Sequence, residues 1–108
     1  MSPVVRLAVT VLAVLIAVGC SDRLEGKFGE ELYQEGCAHC HGVDLTGGTG
    51  PDIGPGSNAD VGLSDQQIGD VIRVGPGAMP RFGGRLTDAQ IDSLVEYVRV
   101  VQRGPESG

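Results

Sequence analysis

The sequence predicts an all-α domain of about three to four short helices. The clearest helix is C-terminal, where apolar residues recur at helical spacing over about three turns: Ile91, Leu94, Val95, Val98 and Val101. Ser64 and Thr87 are each followed three positions later by Gln, which is the pattern of a capping box at a helix start. The helix that follows Ser64 is expected to end near Gly75. No alternation of apolar and polar residues predicts a strand.

The segment before these helices is less regular. Residues 27–36 predict a brief helix, with Phe28 and Leu32 four positions apart. Residues 42–63 predict a long loop, because eight glycines or prolines fall between positions 47 and 62. A loop of that length counts against a compact domain unless it lies on an apolar surface, and the alternative interpretation is a disordered linker.

The first 19 residues have the pattern of an export signal. Thirteen of the fifteen residues at positions 4–18 are apolar, and Arg6 precedes an uncharged run of 12 residues. That run is shorter than the roughly 20 residues of a membrane-spanning helix, so residues 1–19 predict a signal peptide. The expected organisation is then a polar tether at 20–26, one domain at 27–103 and a flexible tail at 104–108.

The composition of the remaining 89 residues is unusual for a protein with an ordinary core. Leu, Ile, Val and Phe supply 20 of them and Gly and Pro supply 22, close to the levels at which disorder becomes a serious interpretation. Removal of residues 1–19 takes away one basic residue and no acid, which leaves a net charge of −7. Nucleic acid is therefore an unexpected partner. Either the chain is loosely folded or a group that is not an amino acid fills its core.

The segment Cys37-Ala38-His39-Cys40-His41 fits the C-x-x-C-H pattern of c-type haem attachment. Cys37 and Cys40 would form thioethers with the two haem vinyl groups, and His41 would ligate the iron from one side. A zinc site needs about four ligands, and the sequence has no second Cys or His cluster to complete one. A thioredoxin-like pair would need a βαβ context, which is absent. One covalent haem c is the expected cofactor.

Met79 is the expected sixth ligand of the iron. His39, the other histidine, lies inside the attachment segment on the side of His41, and a solvent-facing spacer is the simpler interpretation. Met79 follows Gly75-Pro76-Gly77-Ala78 and precedes Pro80, in a loop that exposes its thioether. The alternative is that Met79 fills the core, but a methionine between such turns is poorly suited to helix packing.

The chain resembles the small class I c-type cytochromes over nearly all of residues 27–102. The resemblance rests on the motif at 37–41, on Gly29 and Tyr33 before it, on Gly50-Pro51 and on Met79-Pro80 with the helix that follows. It implies a small cytochrome c fold in which the Pro51 carbonyl accepts the proton-bearing nitrogen of His41. It also implies that the first and last helices cross near Gly29, where the missing side chain would let the two backbones approach closely, with Tyr33 near Leu94 and Tyr97.

These features predict a one-electron carrier rather than an enzyme. With His41 and Met79 both on iron, no coordination position is open to a substrate, and no other catalytic group is evident. Redox proteins that donate and accept electrons are the expected partners. Two alternatives stay open: a haem-based sensor or peroxidase-like enzyme in which Met79 detaches, and the cytochrome subunit of a larger oxidoreductase.

Cys20 is the expected site of a lipid anchor. It follows Ile16-Ala17-Val18-Gly19, which resembles the lipobox of bacterial lipoproteins, although Ala17 replaces the usual Leu. Acyl chains on Cys20 would hold the protein on the periplasmic side of a bacterial membrane. The alternative is ordinary signal cleavage after a small residue, which would leave a soluble periplasmic protein.

Charge is distributed unevenly along the chain. Residues 20–70 carry a balance of −8, whereas residues 71–87 carry Arg73, Arg81 and Arg85 and no acid. The positive segment brackets Met79, and Arg81 and Arg85 are the candidate docking residues for a redox partner. The alternative is that one or two of these arginines, Arg73 first among them, pair with the haem propionates.

Overall fold

The computed structural model describes residues 23–104 and shows a helical domain. Its helices are α1 Gly29–Gly36, α2 Ala38–His41, α3 Asn58–Gly62, α4 Asp65–Val74 and α5 Asp88–Arg103. In this part of the chain the β structure is limited to one isolated bridge, between Gly83 and Leu86. The all-α prediction is therefore confirmed. None of the described helices is long and apolar enough to cross a bilayer.

The two predicted capping boxes are present. The Thr87 hydroxyl accepts a hydrogen bond from the Gln90 N–H at 3.1 Å, and the Gln90 Oε1 accepts one from the Thr87 N–H at 2.9 Å. Ser64 and Gln67 make the same pair of bonds at the start of α4. These side chains satisfy N–H groups that the first helical turn leaves without partners. At its other end α4 stops at Gly75, which has φ +66.

Helix α5 packs against both α1 and α4 and forms the centre of the domain. Leu32 and Tyr33 of α1 and Leu94 of α5 are each 1% exposed. The Tyr33 and Tyr97 rings lie with their centroids 5.3 Å apart and their planes tilted by 42°, within the range in which aromatic pairs attract. The pairing of α1 with α5 through these residues was expected from the resemblance and is observed.

The role of Gly29 in that pairing differs from the expectation. A Cβ on Gly29 would meet no atom within 4 Å, so the missing side chain is not needed for close helix approach. Gly29 instead has φ +55, a conformation that costs other residues about 1–2 kcal/mol. Its N–H donates to the Ser93 hydroxyl at 2.9 Å. The glycine nearest to α5 side chains is Gly69 of α4, whose Cβ would lie 3.7 Å from Ile91 Cγ2.

The packed domain begins earlier than residue 27. Leu24, placed by the sequence in a polar tether, is 6% exposed and belongs to the core. The Gln90 side-chain amide donates to the carbonyls of Leu24 at 2.8 Å and Lys27 at 3.0 Å. A buried side chain on α5 therefore fixes the segment that the sequence assigned to the tether. The predicted signal peptide, Cys20 and residues 105–108 of the predicted tail lie outside the described residues.

The predicted loop at 42–63 contains one short helix, α3, and otherwise consists of turns. Leu45 is fully buried within it and has φ +67. Burial of a leucine contributes roughly 1.5–3 kcal/mol, which offsets the roughly 1–2 kcal/mol cost of the left-handed backbone. The Leu45 carbonyl also accepts a hydrogen bond from Ile53 N–H at 2.9 Å. The loop is a folded part of the domain rather than a linker.

Candidate haem site

The attachment motif forms one helical turn directly after α1. The Cys37 N–H donates to the Tyr33 carbonyl at 2.8 Å, and the His41 N–H donates to the Cys37 carbonyl at 3.0 Å. Cys37 and Cys40 are both free thiols and both partly buried. Cys37 is the N-cap residue of α2 and Cys40 lies three positions later within it, so the two thiols are held close together at the start of this turn. This is the arrangement that two thioether bonds to one porphyrin edge need.

The His41 ring is held by the loop that follows it. Its Nδ1 lies 2.9 Å from the Pro51 carbonyl oxygen, the contact that the resemblance implies. A ring that donates its proton from Nδ1 has an unprotonated Nε2, which is the form that ligates a metal. The residues present therefore fit a haem iron bound at His41 Nε2. The ligand role of His41 itself stays a prediction.

Glycines let the loop lie close to the motif. The Gly50 N–H donates to the Cys40 carbonyl and the Gly47 N–H to the His41 carbonyl, each at 2.8 Å. A Cβ on Gly50 would lie 3.3 Å from both Cys40 Cβ and His41 Cε1, and 3.2 Å from the Cys40 carbonyl oxygen. A side chain at position 50 would push the loop away from the histidine ring, which explains a glycine directly before Pro51.

Tyr33 binds the backbone directly after the haem motif. Its hydroxyl donates to the Gly42 carbonyl at 2.7 Å, and Gly42 is the residue that follows His41. Burial raises the pKa of Tyr33 well above its ordinary value, with smaller contributions from Cys37, Tyr97 and Asp44. The sequence indicated an aromatic contact at this position but contained no signal for the hydroxyl bond, whose partner is a backbone carbonyl.

The Cys37 thiol lies deeper than a reactive surface thiol. Burial, together with a smaller contribution from the neighbouring Cys40, raises its pKa to about 11. An unreacted Cys37 is therefore protonated at neutral pH, and a protonated thiol resists oxidation. Such a residue is available for attachment chemistry and poorly suited to a redox-active disulfide pair.

Met79 lies in a tight turn against the core. Its side chain is partly buried and packs against the same apolar cluster as Cys37, Ile53 and Leu63. The Met79 N–H donates to the Pro76 carbonyl at 3.2 Å. The turn closes so tightly that a Cβ on Gly75 would lie 2.7 Å from the Met79 carbonyl oxygen. Cys37 and Met79 therefore pack against one apolar cluster, and Met79 as the iron ligand stays a prediction.

The charged candidates around the site differ in their surroundings. Arg73 contacts Asp70 at 3.3 Å and Asp88 at 3.4 Å, so two carboxylates already accompany the arginine that was expected to pair first with a propionate. Arg81 is exposed. The Arg85 guanidinium lies 5.4 Å from the centroid of the Phe82 ring. His39 is exposed, in agreement with a spacer.

Comparison with known proteins identifies the family. The family model described as "Cytochrome C oxidase, cbb3-type, subunit III" matches residues 25–98. A cytochrome c6 of Picosynechococcus sp. is 30% identical over 112 residues, which cover 91% of this chain and 92% of that protein. The cytochrome c-551 of Bacillus subtilis is 42% identical over 55 residues, which cover 49% of this chain and 45% of that protein.

A larger protein also contains a similar domain. The dihydro-heme d1 dehydrogenase of Pseudomonas aeruginosa is 42% identical over 72 residues, and the match covers 65% of this chain. A solved structure of dihydro-heme d1 dehydrogenase NirN in complex with DHE aligns with a TM-score of 0.61 at 39% identity, over 68% of this chain and 16% of that one. The chain spans 14% of the dehydrogenase sequence.

The likeness to the dehydrogenase therefore concerns one domain of that protein, whereas the cytochrome c6 matches over nearly the full length of both chains. The family model covers more than half of this chain, and the helical fold and the His41–Pro51 contact agree with it. The chain belongs to the small class I c-type cytochromes and binds one haem c.

Proposed function

We propose that the protein is a one-electron carrier outside the cytoplasm, with His41 and Met79 as the axial ligands of its haem. The contact of His41 Nδ1 with the Pro51 carbonyl is the observation that carries this proposal, because it directs Nε2 towards a metal. The bound haem supplies a reversible one-electron couple. Cys37 and Cys40 hold it covalently, so the carrier keeps its cofactor in both redox states.

Met79 sets the chemistry of the second axial position. A soft thioether favours ferrous iron, so the reduction potential should be higher than with two histidines. A sulfur ligand from this turn also closes the last coordination position to small molecules. With both axial positions held by His41 and Met79, the haem would supply one-electron chemistry without a coordination position for a substrate.

The Met79→Ala variant tests this assignment. We expect the haem to remain attached, the midpoint potential to fall and the ferrous iron to bind carbon monoxide. Leu86→Ala is the matched control, since it removes a buried side chain near the same turn but no possible ligand. An unchanged spectrum and potential in Met79→Ala would exclude Met79 as the ligand. Rapid stoichiometric binding of carbon monoxide by the reduced wild-type protein would instead favour the sensor or peroxidase-like alternative.

We further propose that Cys20 carries lipid and tethers the carrier to the periplasmic side of a bacterial membrane. The burial of Leu24 shortens the expected tether, because only three residues separate Cys20 from the packed domain. Four extended steps span at most about 14 Å, so the anchored domain would stay close to the bilayer surface. Intact mass of the membrane-extracted protein is the test, and an N-terminal Cys20 without acyl chains would contradict the anchor.

The proposed docking face is the exposed side of the segment that carries Arg81 and Arg85. Phe82 is buried and the N–H groups of Phe82 and Gly83 donate to the Ile72 and Arg73 carbonyls, at 3.2 and 3.1 Å. The segment is therefore fixed to the end of α4. An acidic partner surface would be attracted to this segment despite the negative net charge of the protein.

Ferricyanide, an anionic oxidant, tests this charge distribution without an identified partner. Oxidation of the reduced protein should slow as salt is added, and Arg81→Glu or Arg85→Glu should slow it at low salt. Arg23→Glu, in the acidic part of the sequence, is the control. Rates that rise with salt in the wild type would place the reacting haem edge in a negative field and contradict the proposed face.

A further inference from the structure

Two side chains of α5 bind the backbone of the long loop. The Arg99 guanidinium donates from Nη1 to the carbonyls of Ala59 and Asp60, each at 3.3 Å, and from Nη2 to the Leu63 carbonyl. The Gln102 side-chain amide donates to the Ile53 carbonyl at 2.9 Å. We call this pair of residues, Arg99 and Gln102, the loop clamp.

The loop clamp is a connected and largely buried unit. Arg99 Nη1 donates to Gln102 Oε1 at 2.8 Å, which orients the amide towards Ile53. The Arg99 side chain is 13% exposed and Gln102 is 7% exposed. Arg99 Nε also donates to Asp65 Oδ1 at 2.7 Å, in the first turn of α4, and that carboxylate is 74% exposed. One side chain thus links α3, the start of α4 and α5.

The burial of Arg99 has a free-energy cost that its hydrogen bonds must offset. A cation taken out of water is costly, and apolar residues of similar volume often stabilise a protein as well or better. Here the compensating bonds go mainly to backbone carbonyls, and a rigid guanidinium fork suits several such acceptors better than an ammonium group. Removal of the fork would leave partly buried carbonyls without hydrogen-bond partners, which destabilises the clamped arrangement.

The clamped segment is connected to the candidate haem-binding residues through the shared apolar cluster. Ile53 and Leu63, whose carbonyls the clamp binds, pack against the apolar cluster that also contacts Cys37 and Met79. Pro51, which binds His41, lies two residues before Ile53. A shift of residues 53–63 would therefore be transmitted to this site through the shared cluster and through the neighbouring Pro51.

We propose that Arg99 and Gln102 are positioning residues that raise the reduction potential by holding residues 53–63 over the haem site. The inference rests on the proposed one-electron function. A dry apolar shell disfavours the more highly charged ferric state, and hydration of the site favours it. Release of the segment should therefore lower the midpoint potential without altering haem attachment or either proposed ligand.

The test uses the holoprotein in three variants: Arg99→Lys, Gln102→Leu and, as a control on an exposed position of the same helix, Arg103→Lys. Midpoint potential and amide hydrogen exchange of residues 53–63 are measured together. We expect Arg99→Lys to lower the potential and to speed exchange in this segment by about tenfold or more. Gln102→Leu should also lower the potential and should speed exchange in the part of the segment nearest Ile53. Arg103→Lys should change neither the potential nor the exchange.

Arg99→Lys separates positioning from charge, because it retains the cation and loses the fork. An unchanged potential in Arg99→Lys with faster exchange would reduce the clamp to a structural role and overturn the proposal. If Arg99→Lys does not fold, Asp65→Asn provides a milder test, since it removes one anchor of Arg99 and leaves the carbonyl acceptors. Failure of the proposed function is distinguishable, because the reduced wild-type protein would then bind carbon monoxide rapidly and stoichiometrically, whatever the Arg99 variants show.

Discussion

The contact between α1 and α5 and the loop at 42–63 are stabilised in opposite ways. The helix contact relies on apolar side chains, with Leu32, Tyr33 and Leu94 almost completely buried. Apart from the buried Leu45, the loop is held by hydrogen bonds of its backbone. At one end its carbonyls accept bonds from the Arg99 and Gln102 side chains. At the other end its N–H groups donate to carbonyls of residues 37–41. Side-chain spacing therefore identifies the first region, whereas the second depends on carbonyl groups that every residue possesses.

Loss of apolar packing should have the largest effect. Leu94→Ala removes a side chain that is 1% exposed at the centre of the helix contact, and we expect the free energy of unfolding to fall by about 2–5 kcal/mol. Val100→Ala, at a position of α5 that is 54% exposed, should change it by about 0.5 kcal/mol or less. Denaturant unfolding of the two holoproteins gives the comparison, and equal losses would show that burial does not govern this helix.

The second largest loss of stability should come from backbone strain in the turn that carries Met79. Gly75→Ala combines φ +66 with a Cβ 2.6 Å from the Pro80 carbonyl oxygen, whereas Gly77 has φ +61 and open space around it. Strain alone costs about 1–3 kcal/mol, so Gly75→Ala should cost more than Gly77→Ala. We also expect only Gly75→Ala to disturb the axial ligand field, measured by ferric absorption and electron paramagnetic resonance. Identical behaviour of the two variants would mean that the turn adapts to the added methyl group.

Gly29 allows strain and overfilling to be separated. Because no atom lies within 4 Å of a Cβ at this position and φ is +55, Gly29→Ala and Gly29→Leu should both cost about 1–2 kcal/mol. If a larger side chain instead overfilled a close helix contact, Gly29→Leu would lose much more stability than Gly29→Ala. Gly62→Ala, with open space and no positive φ in α3, is the control and should be nearly neutral or slightly stabilising. Thermal unfolding of the three variants decides between the two explanations.

The smallest expected effect is that of the Tyr33 hydroxyl, which joins the helix contact to the haem motif. Tyr33→Phe removes the bond to the Gly42 carbonyl and should cost about 1 kcal/mol at neutral pH. Burial raises the pKa of Tyr33 above the ordinary value of about 10. Below that pH the hydroxyl is protonated in both folded and unfolded chains, and its contribution is fully present.

As the pH rises above about 10, the unfolded chain ionises at Tyr33 while the folded chain does not, so the free energy of unfolding falls. The wild-type protein should therefore lose stability between pH 9 and 11 more steeply than Tyr33→Phe. Urea unfolding at several pH values measures both slopes. Parallel slopes would show that Tyr33 titrates normally in the folded protein.

Local chemistry was sufficient to predict much of this molecule. The capping boxes at Ser64 and Thr87 join residues three positions apart, so their geometry is set within one helical turn. The haem motif is equally local, since its thiols and His41 lie within five consecutive residues. Met79 could be proposed because the chain offers so few candidate ligands. In the capping boxes and the haem motif the interacting groups are neighbours in the sequence, and pattern alone brings them together, whereas Met79 was proposed by elimination.

Only the tertiary structure decided which distant backbone groups are bound, and by what. Leu24 looked like part of a polar tether until Gln90, 66 positions away, was found to hold its carbonyl. Arg99 belongs to no motif in the sequence, yet it binds carbonyls 36 to 40 positions earlier in the chain. A carbonyl acceptor carries no residue identity, so no sequence pattern marks it. Its partner becomes evident only when the fold brings the donor within hydrogen-bond distance.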